Sequence, residues 1–206
     1  MTGNEFWNSL LTEKSWKLLH ELRKEHDFIL IGGWAVYLLT KQKKSKDIDI
    51  VVSLKELEKL KNEDLRKNER LRKYEIKRGD IDIDIYAEYY SRLAIPTEDI
   101  NNFTESIEGF VTAIPELMVL LKQSAFRERE FSVKGEKDKI DIVSLIFFTN
   151  IDFKKYYTLL QKYKMGDYLG DLMNLLRGFK DYNAVNLSPR EFKMKKNKIL
   201  EEIRKI

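Results

Sequence analysis

Residues 28–52 read FILIGGWAVYLLTKQKKSKDIDIVV. Phe28-Ile29-Leu30-Ile31 is an unbroken apolar run that ends at Gly32-Gly33, the pattern of a buried strand breaking into a turn. Trp34 to Leu39 suits a short helix, and the basic loop Lys41 to Lys46 follows it. Asp47-Ile48-Asp49-Ile50-Val51-Val52 opens with strict alternation and predicts a second strand. Thirteen residues separate Gly33 from Asp47, enough for one short helix and a return loop. The two strands should therefore lie side by side, with the aspartates near the glycine turn.

Those aspartates matter because the composition removes most other chemistry. The 206 residues contain no cysteine and only two histidines, His20 and His26. Thiol nucleophiles, thiolate zinc sites and iron–sulfur clusters are excluded, and any metal must be held mostly by carboxylates. Carboxylates select hard cations such as magnesium or manganese. Hydrophobic residues make up 43% of the chain and charged residues 35%, the second well above the roughly 25% of an average domain, so a compact and highly charged protein is expected. The longest apolar run, Phe28 to Leu39, is too short to span a bilayer, and no secretory signal is visible after the early Glu5. A cytoplasmic protein without membrane contact is the expectation.

Around the opening stretch the chain divides by pattern. Trp7, Leu11, Leu18 and Leu22 recur at helical spacing, with Thr12 a candidate cap and His20 opposite the stripe. His26 falls in a charged bend. Leu54 to about Lys73 predicts an exposed helix or two. Tyr74–Lys77 and Ile81–Tyr86 flank Arg78-Gly79-Asp80 and predict a hairpin, with Asp82 and Asp84 on one face of its second arm. Ile107–Val111 is a further candidate strand. From Pro115 the chain reads as helical, with breaks near Gly135, Gly166 and Pro189. These patterns predict two domains, residues 1–112 with mixed strands and helices and residues 113–206 helical, in an α+β fold. Between Ser188 and Ile206 seven Lys/Arg face three Glu, an excess equal to the chain's whole net charge of +4. That basic tail is either a contact for a polyanion or a solvated helix face.

Asp47 and Asp49 should project on the same side of their strand, where paired carboxylates can hold one cation or two. Alone, Asp-x-Asp equally describes an exposed strand face. The glycine turn adds free backbone N–H groups at a helix start, where phosphate can be held. Asp82 and Asp84 offer a third carboxylate from another strand. A phosphate-binding turn with three carboxylates supplies the parts of metal-assisted nucleotidyl transfer.

The stretch from Ile31 to Val52 resembles the signature of the polymerase-β-type nucleotidyltransferase superfamily: apolar strand, Gly-Gly, helix, then Asp-x-Asp between apolar residues. The resemblance implies a short mixed β-sheet flanked by helices, followed by a helical domain. It implies Asp47 and Asp49 as ligands of Mg2+ or Mn2+, and Gly32 and Gly33 as phosphate-binding backbone. Lys43 and Ser45 match the basic and hydroxyl residues that precede the Asp pair in that family. The third carboxylate matches within GDIDIDIYAEY, residues 79–89, with Asp84 preferred to Asp82 because it precedes the last apolar pair.

Further on, IPELMVLLKQSAFRERE (114–130) and KDKIDIVSL (137–145) are similar to a region of abortive-infection and other toxin-type nucleotidyltransferases. The matching residues are Pro115, Glu116, Lys122, Lys137, Asp138 and Asp141. The resemblance implies nucleotide binding by Lys122 and Lys137. The alternatives are an exposed Lys122, Lys137 and Asp138 as charges at a helix start, and Asp141 paired with a nearby base. An enzyme of this kind would move a nucleoside monophosphate from a nucleoside triphosphate, ATP among them, to a small molecule, RNA or protein. The same fold as a non-catalytic nucleotide-binding or toxin–antitoxin component is the alternative.

Overall fold

A computed structural model describes residues 3–206, with side chains from Ser9 onward. The side chains of Glu5 and Trp7 thus lie outside the described residues. The chain forms two compact units, one ending at Ile114 and one covering Pro115–Ile206.

The first unit opens with helix α1 (Gly3–Glu25), which runs through Thr12 without a break. Thr12 caps nothing; its hydroxyl donates back to the Ser9 carbonyl at 2.8 Å. Strand β1 (Ile29–Ile31) turns directly into α2 (Gly32–Thr40), and β2 (Ile48–Val52) returns antiparallel to β1 with Asp49 opposite Ile31. The expected helices over residues 54–73 are in fact one short helix, α3 (Leu54–Leu60), then the edge strand β3 (Arg66–Asn68). The leucine spacing misleads here, because Leu54 and Leu71 are exposed and only Leu57 and Leu60 reach the core.

The predicted hairpin is present as β4 (Lys73–Arg78) and β5 (Ile81–Ala87), joined by Gly79-Asp80. A second hairpin, β6 (Thr104–Ile107) and β7 (Phe110–Ala113), replaces the single strand expected over 107–111. Its turn falls at Glu108-Gly109, where both residues take positive φ. The seven strands form one mixed sheet in the order β3-β4-β5-β2-β1-β7-β6, with β2 parallel to β5 and β1 parallel to β7. Leu30, Ile48, Ile50, Ile83 and Ile85 fill the buried face, and Trp34 joins them while donating to Ser15 Oγ at 2.9 Å. His20, expected on the surface, packs edge-on between the Trp16 and Phe110 rings.

The second unit is helical: α4 (Pro115–Arg129), α5 (Val133–Phe148), α6 (Phe153–Lys162), α7 (Tyr168–Gly178) and α8 (Pro189–Ile203). The first break comes at residues 130–132 rather than at Gly135. Ser132 caps α5, its hydroxyl accepting from Gly135 N–H at 3.0 Å, so Gly135 sits inside the first turn. A Cβ on Gly135 would stand 2.2 Å from the Arg129 carbonyl oxygen, so glycine serves close approach there, not helix breaking. Ser188 and Glu191 form a reciprocal capping box at α8, with Pro189 at its first turn. The molecule is α+β, a mixed sheet with helices in the first unit and helices throughout the second.

Candidate active site

The site begins at the junction of β1 and α2. Gly32 takes φ +67°, a conformation costly for residues with a Cβ. A Cβ there would lie 2.0 Å from Asp49 Oδ2, so the absence of a side chain is what lets the Asp49 carboxylate rest against the helix start. No side chain caps α2 and its first turn carries no acid. Gly33 is buried one residue on, while Lys43 is exposed and Ser45 buried in the loop leading to β2.

Strand register then brings acids together. Asp49 on β2 is the partner of Asp84 on β5, and Asp84 is the partner of Glu75 on β4. Partners in register share a face, so Glu75, Asp84 and Asp49 form a row across three adjacent strands at about 4.8 Å per step. Asp47 lies just before β2, near enough to act electrostatically on Asp84. Asp82 is exposed one register step away, opposite Lys77, whose Nζ is 3.9 Å from its carboxylate.

Lys73 sits against the middle of the row. This lysine is only 8% exposed, and its Nζ lies 2.6 Å from Asp84 Oδ2 and 3.1 Å from Glu75 Oε1. Asn68 Nδ2 donates to the same Glu75 oxygen at 2.8 Å. Burial pushes the Asp84 carboxyl above the usual aspartate range; Lys73 opposes that rise, while Glu75 and Asp47 add to it. Burial also works against the charges of Lys73 and Glu75, but their partners prevail. Asp84 and Glu75 hold Lys73 above the usual lysine range, and Asn68 and Lys73 hold Glu75 below the usual glutamate range.

Lys73 escapes the sequence pattern above because residues 54–73 read there as helix, while Glu75 falls in the expected hairpin arm Tyr74–Lys77 and stands there as an ordinary strand acid. The signal lies in the turn: pairing Arg78 with Ile81 across Gly79-Asp80 sets Glu75 opposite Asp84 by counting alone.

The donors fit a hard divalent cation in kind, since they are carboxylates aligned on neighbouring strands around a glycine that makes room for one of them. Their pose is different. Among the described residues, no three His, Cys, Asp or Glu side chains are grouped closely enough to hold a metal ion, and Asp84 is engaged by Lys73.

In the second unit, Lys122 on α4 is buried rather than solvated. Its Nζ lies 3.2 Å from Asp138 Oδ1 and 2.7 Å from Asp141 Oδ2, both on α5, and Arg129 Nη2 lies 2.6 Å from Asp138 Oδ2. Asp138 is therefore a partner of Lys122 and Arg129 inside α5, not a charge at its start, and Lys137 beside it is half-buried. The buried Glu116 accepts from the Asp152 N–H at 2.9 Å. Two cations of the basic tail are engaged with backbone, Lys195 with the Phe147 carbonyl and Lys196 with those of Arg177 and Phe179. Arg190, Lys193, Lys198, Arg204 and Lys205 remain exposed.

His26 is structural. Its Nδ1 lies 2.7 Å from Glu56 Oε1 and its Nε2 lies 3.2 Å from Glu63 Oε1, joining the end of α1 to α3 and the residues after it. No helix among the described residues is long and apolar enough to cross a membrane.

No family model matches the chain, and no curated protein matches it. Solved structures do. An antigenic nucleotidyltransferase-like protein from Paracoccidioides brasiliensis is 18% identical over 85% of this chain and 96% of its own, with a TM-score of 0.40. JHP933 from Helicobacter pylori is 16% identical over 94% of each chain, with a TM-score of 0.45.

Proposed function

We propose that this protein is a metal-dependent nucleotidyltransferase that moves a nucleoside monophosphate from a nucleoside triphosphate to an acceptor hydroxyl. The observation that carries the reading is the alignment of Asp49 with Asp84 on parallel neighbouring strands, with the Asp49 carboxylate seated on Gly32 at the uncapped start of α2. Asp47, Asp49 and Asp84 would hold Mg2+ or Mn2+, which supplies Lewis-acid polarisation of the phosphate and charge neutralisation.

The chain's own groups account for the rest. The backbone N–H groups of Gly32 and Gly33 bind phosphate oxygens at the positive end of α2. Lys43 and Ser45 approach the same phosphates from the loop before β2. Asp84, its carboxyl raised by burial, accepts the proton of the acceptor hydroxyl. The hydroxyl oxygen bonds to the α-phosphorus as the bond to the β-phosphate breaks, and pyrophosphate leaves. Lys122 and Lys137 would contact the nucleotide, Lys122 only by giving up one of its two aspartate partners.

Incubation with each labelled triphosphate, magnesium and a cell extract tests the proposal. One labelled species, identifiable as small molecule, RNA or protein and absent with Asp49→Asn, is expected; no labelled product with any triphosphate refutes it. The engagement of Asp84 by Lys73 favours a second reading, a nucleotide-binding component that does no chemistry. Equal thermal stabilisation by nucleotide with chelator and with magnesium would select it.

A further inference from the structure

The Lys73–Glu75–Asp84 arrangement contains more charge than strand pairing needs. Lys73 begins β4 and reaches diagonally to Asp84, whose direct partner across the strand pair is Glu75. Its ammonium therefore touches two acids at once, at 2.6 Å and 3.1 Å. The two contacts are unequally exposed: the side chain of Asp84 is 22% exposed and that of Glu75 37%. A lysine is a compact point charge on a flexible stem, able to shift between neighbouring carboxylates without losing its hydrogen bonds.

We propose that Lys73 is a resident counter-ion that competes with a divalent cation for Asp84, and that Glu75 receives it when the cation arrives. The inference rests on the carboxylate site proposed above. In the metal-free protein Lys73 offsets the repulsion along the Glu75–Asp84–Asp49 row. A cation engaging Asp49 and Asp84 meets a second positive charge already against Asp84 Oδ2, and like charges at contact distance repel. Glu75 lowers that barrier by keeping Lys73 paired, with Asn68 fixing the Glu75 carboxylate in place. Both residues are positioning residues for Asp84. They set how tightly the site loads, and opposite signs follow for their removal.

Titration of the full-length protein with Mn2+ alone, read by calorimetry and by the electron paramagnetic resonance signal of free Mn2+, tests this. Lys73→Met is expected to bind Mn2+ about tenfold more tightly than the parent, the removal of one adjacent like charge. Its metal-free form is expected to melt lower than the parent. Lys73→Arg keeps the charge and is expected to stay within about twofold of the parent affinity. Glu75→Gln, which leaves Lys73 with Asp84 alone, is expected to weaken binding about fivefold. Because Glu75→Gln keeps the buried lysine paired, it carries the test if Lys73→Met does not fold.

Weaker Mn2+ binding by Lys73→Met, or unchanged binding by Glu75→Gln, overturns the exchange. Asp49→Asn separates this failure from that of the site itself. If Asp49→Asn loses Mn2+ binding while the Lys73 and Glu75 variants match the parent, only the exchange is wrong. If Asp49→Asn binds as the parent does, the carboxylate site is wrong and the exchange falls with it.

Discussion

Two charged clusters, one in each unit, use the same residue types to opposite ends. In the second unit Lys122 and Arg129 face Asp138 and Asp141, two cations against two acids, with both aspartates nearly inaccessible. In the first unit three acids stand in register with one lysine set between two of them, and Asp84 and Glu75 both reach solvent. A balanced, buried set joins helices and leaves little demand for another ion. A partly open row with a raised carboxyl keeps such a demand, which is how candidate sites differ from structural ion pairs. Charge density alone does not tell the two apart; balance and exposure do.

That contrast can be challenged first at its structural end. Lys122→Ala leaves two buried aspartates short of a partner and is expected to cost about 3–5 kcal/mol in urea unfolding. A loss below about 1 kcal/mol would mean that the cluster is not structural. At the other end, Asp49→Asn is expected to lower transfer at least about a hundredfold, roughly 2.7 kcal/mol of barrier, while the melting temperature holds or rises. Retained activity removes the contrast, because both clusters would then be structural.

A smaller effect separates them by pH. The Asp84 carboxyl sits above its usual range in the folded protein, so its ionised form is a cost to folding at neutral pH. Asp84→Asn removes that cost and takes from Lys73 its partner at 2.6 Å, so against this constant loss its stability relative to the parent should rise with pH from the ordinary aspartate range up through the raised value. Glu56 has the opposite sign: burial would raise it, but its bonds to Lys59 and His26 hold it below the usual glutamate range. Its contribution is present at neutral pH and lost as pH falls through that depressed value, so Glu56→Gln should flatten the acid limb of a melting-temperature profile. Parallel profiles for the parent and both variants would contradict these assignments. The mildest change, Ser188→Ala, removes only the α8 cap and should cost about 1 kcal/mol in the same unfolding assay.

The legible part of the molecule is the part where side-chain pattern and backbone state agree. Phe28 to Val52 reads correctly as strand, helix and strand because its first apolar run ends at glycines and its later alternation is strict, although Gly32 and Gly33, expected as a turn, form the first residues of α2. Residues 54–73 mislead because β3 is a three-residue edge strand of Arg66, Lys67 and Asn68, with no apolar alternation to betray it. The second hairpin hides behind Glu108, a non-glycine residue with positive φ that no local pattern marks as a turn. At the candidate site the aspartates are visible as a motif, whereas Lys73 and Glu75 become visible only through the register that the turn at Gly79-Asp80 sets for the hairpin. Of the two readings of Lys122, nucleotide binding and exposure, the exposed one fails because helical spacing reports which side a residue is on and not what stands opposite, here Asp138 and Asp141.

The turn at Gly79-Asp80 has a consequence for how this chain can vary. A hairpin's side-chain period is two, so one residue inserted in β4 between Ile76 and the turn would carry Lys73 and Glu75 to the apolar face and bring Ile76 beside Asp84. Insertions at most exposed loop tips are tolerated. Here the tip is exposed and a Cβ at Gly79 would meet nothing within 4 Å, yet the number of residues between Lys73 and Asp84 specifies the electrostatics of the row. Chain length in this hairpin is therefore heritable information in its own right, and a deletion there would act as a site mutation while altering no residue of the site.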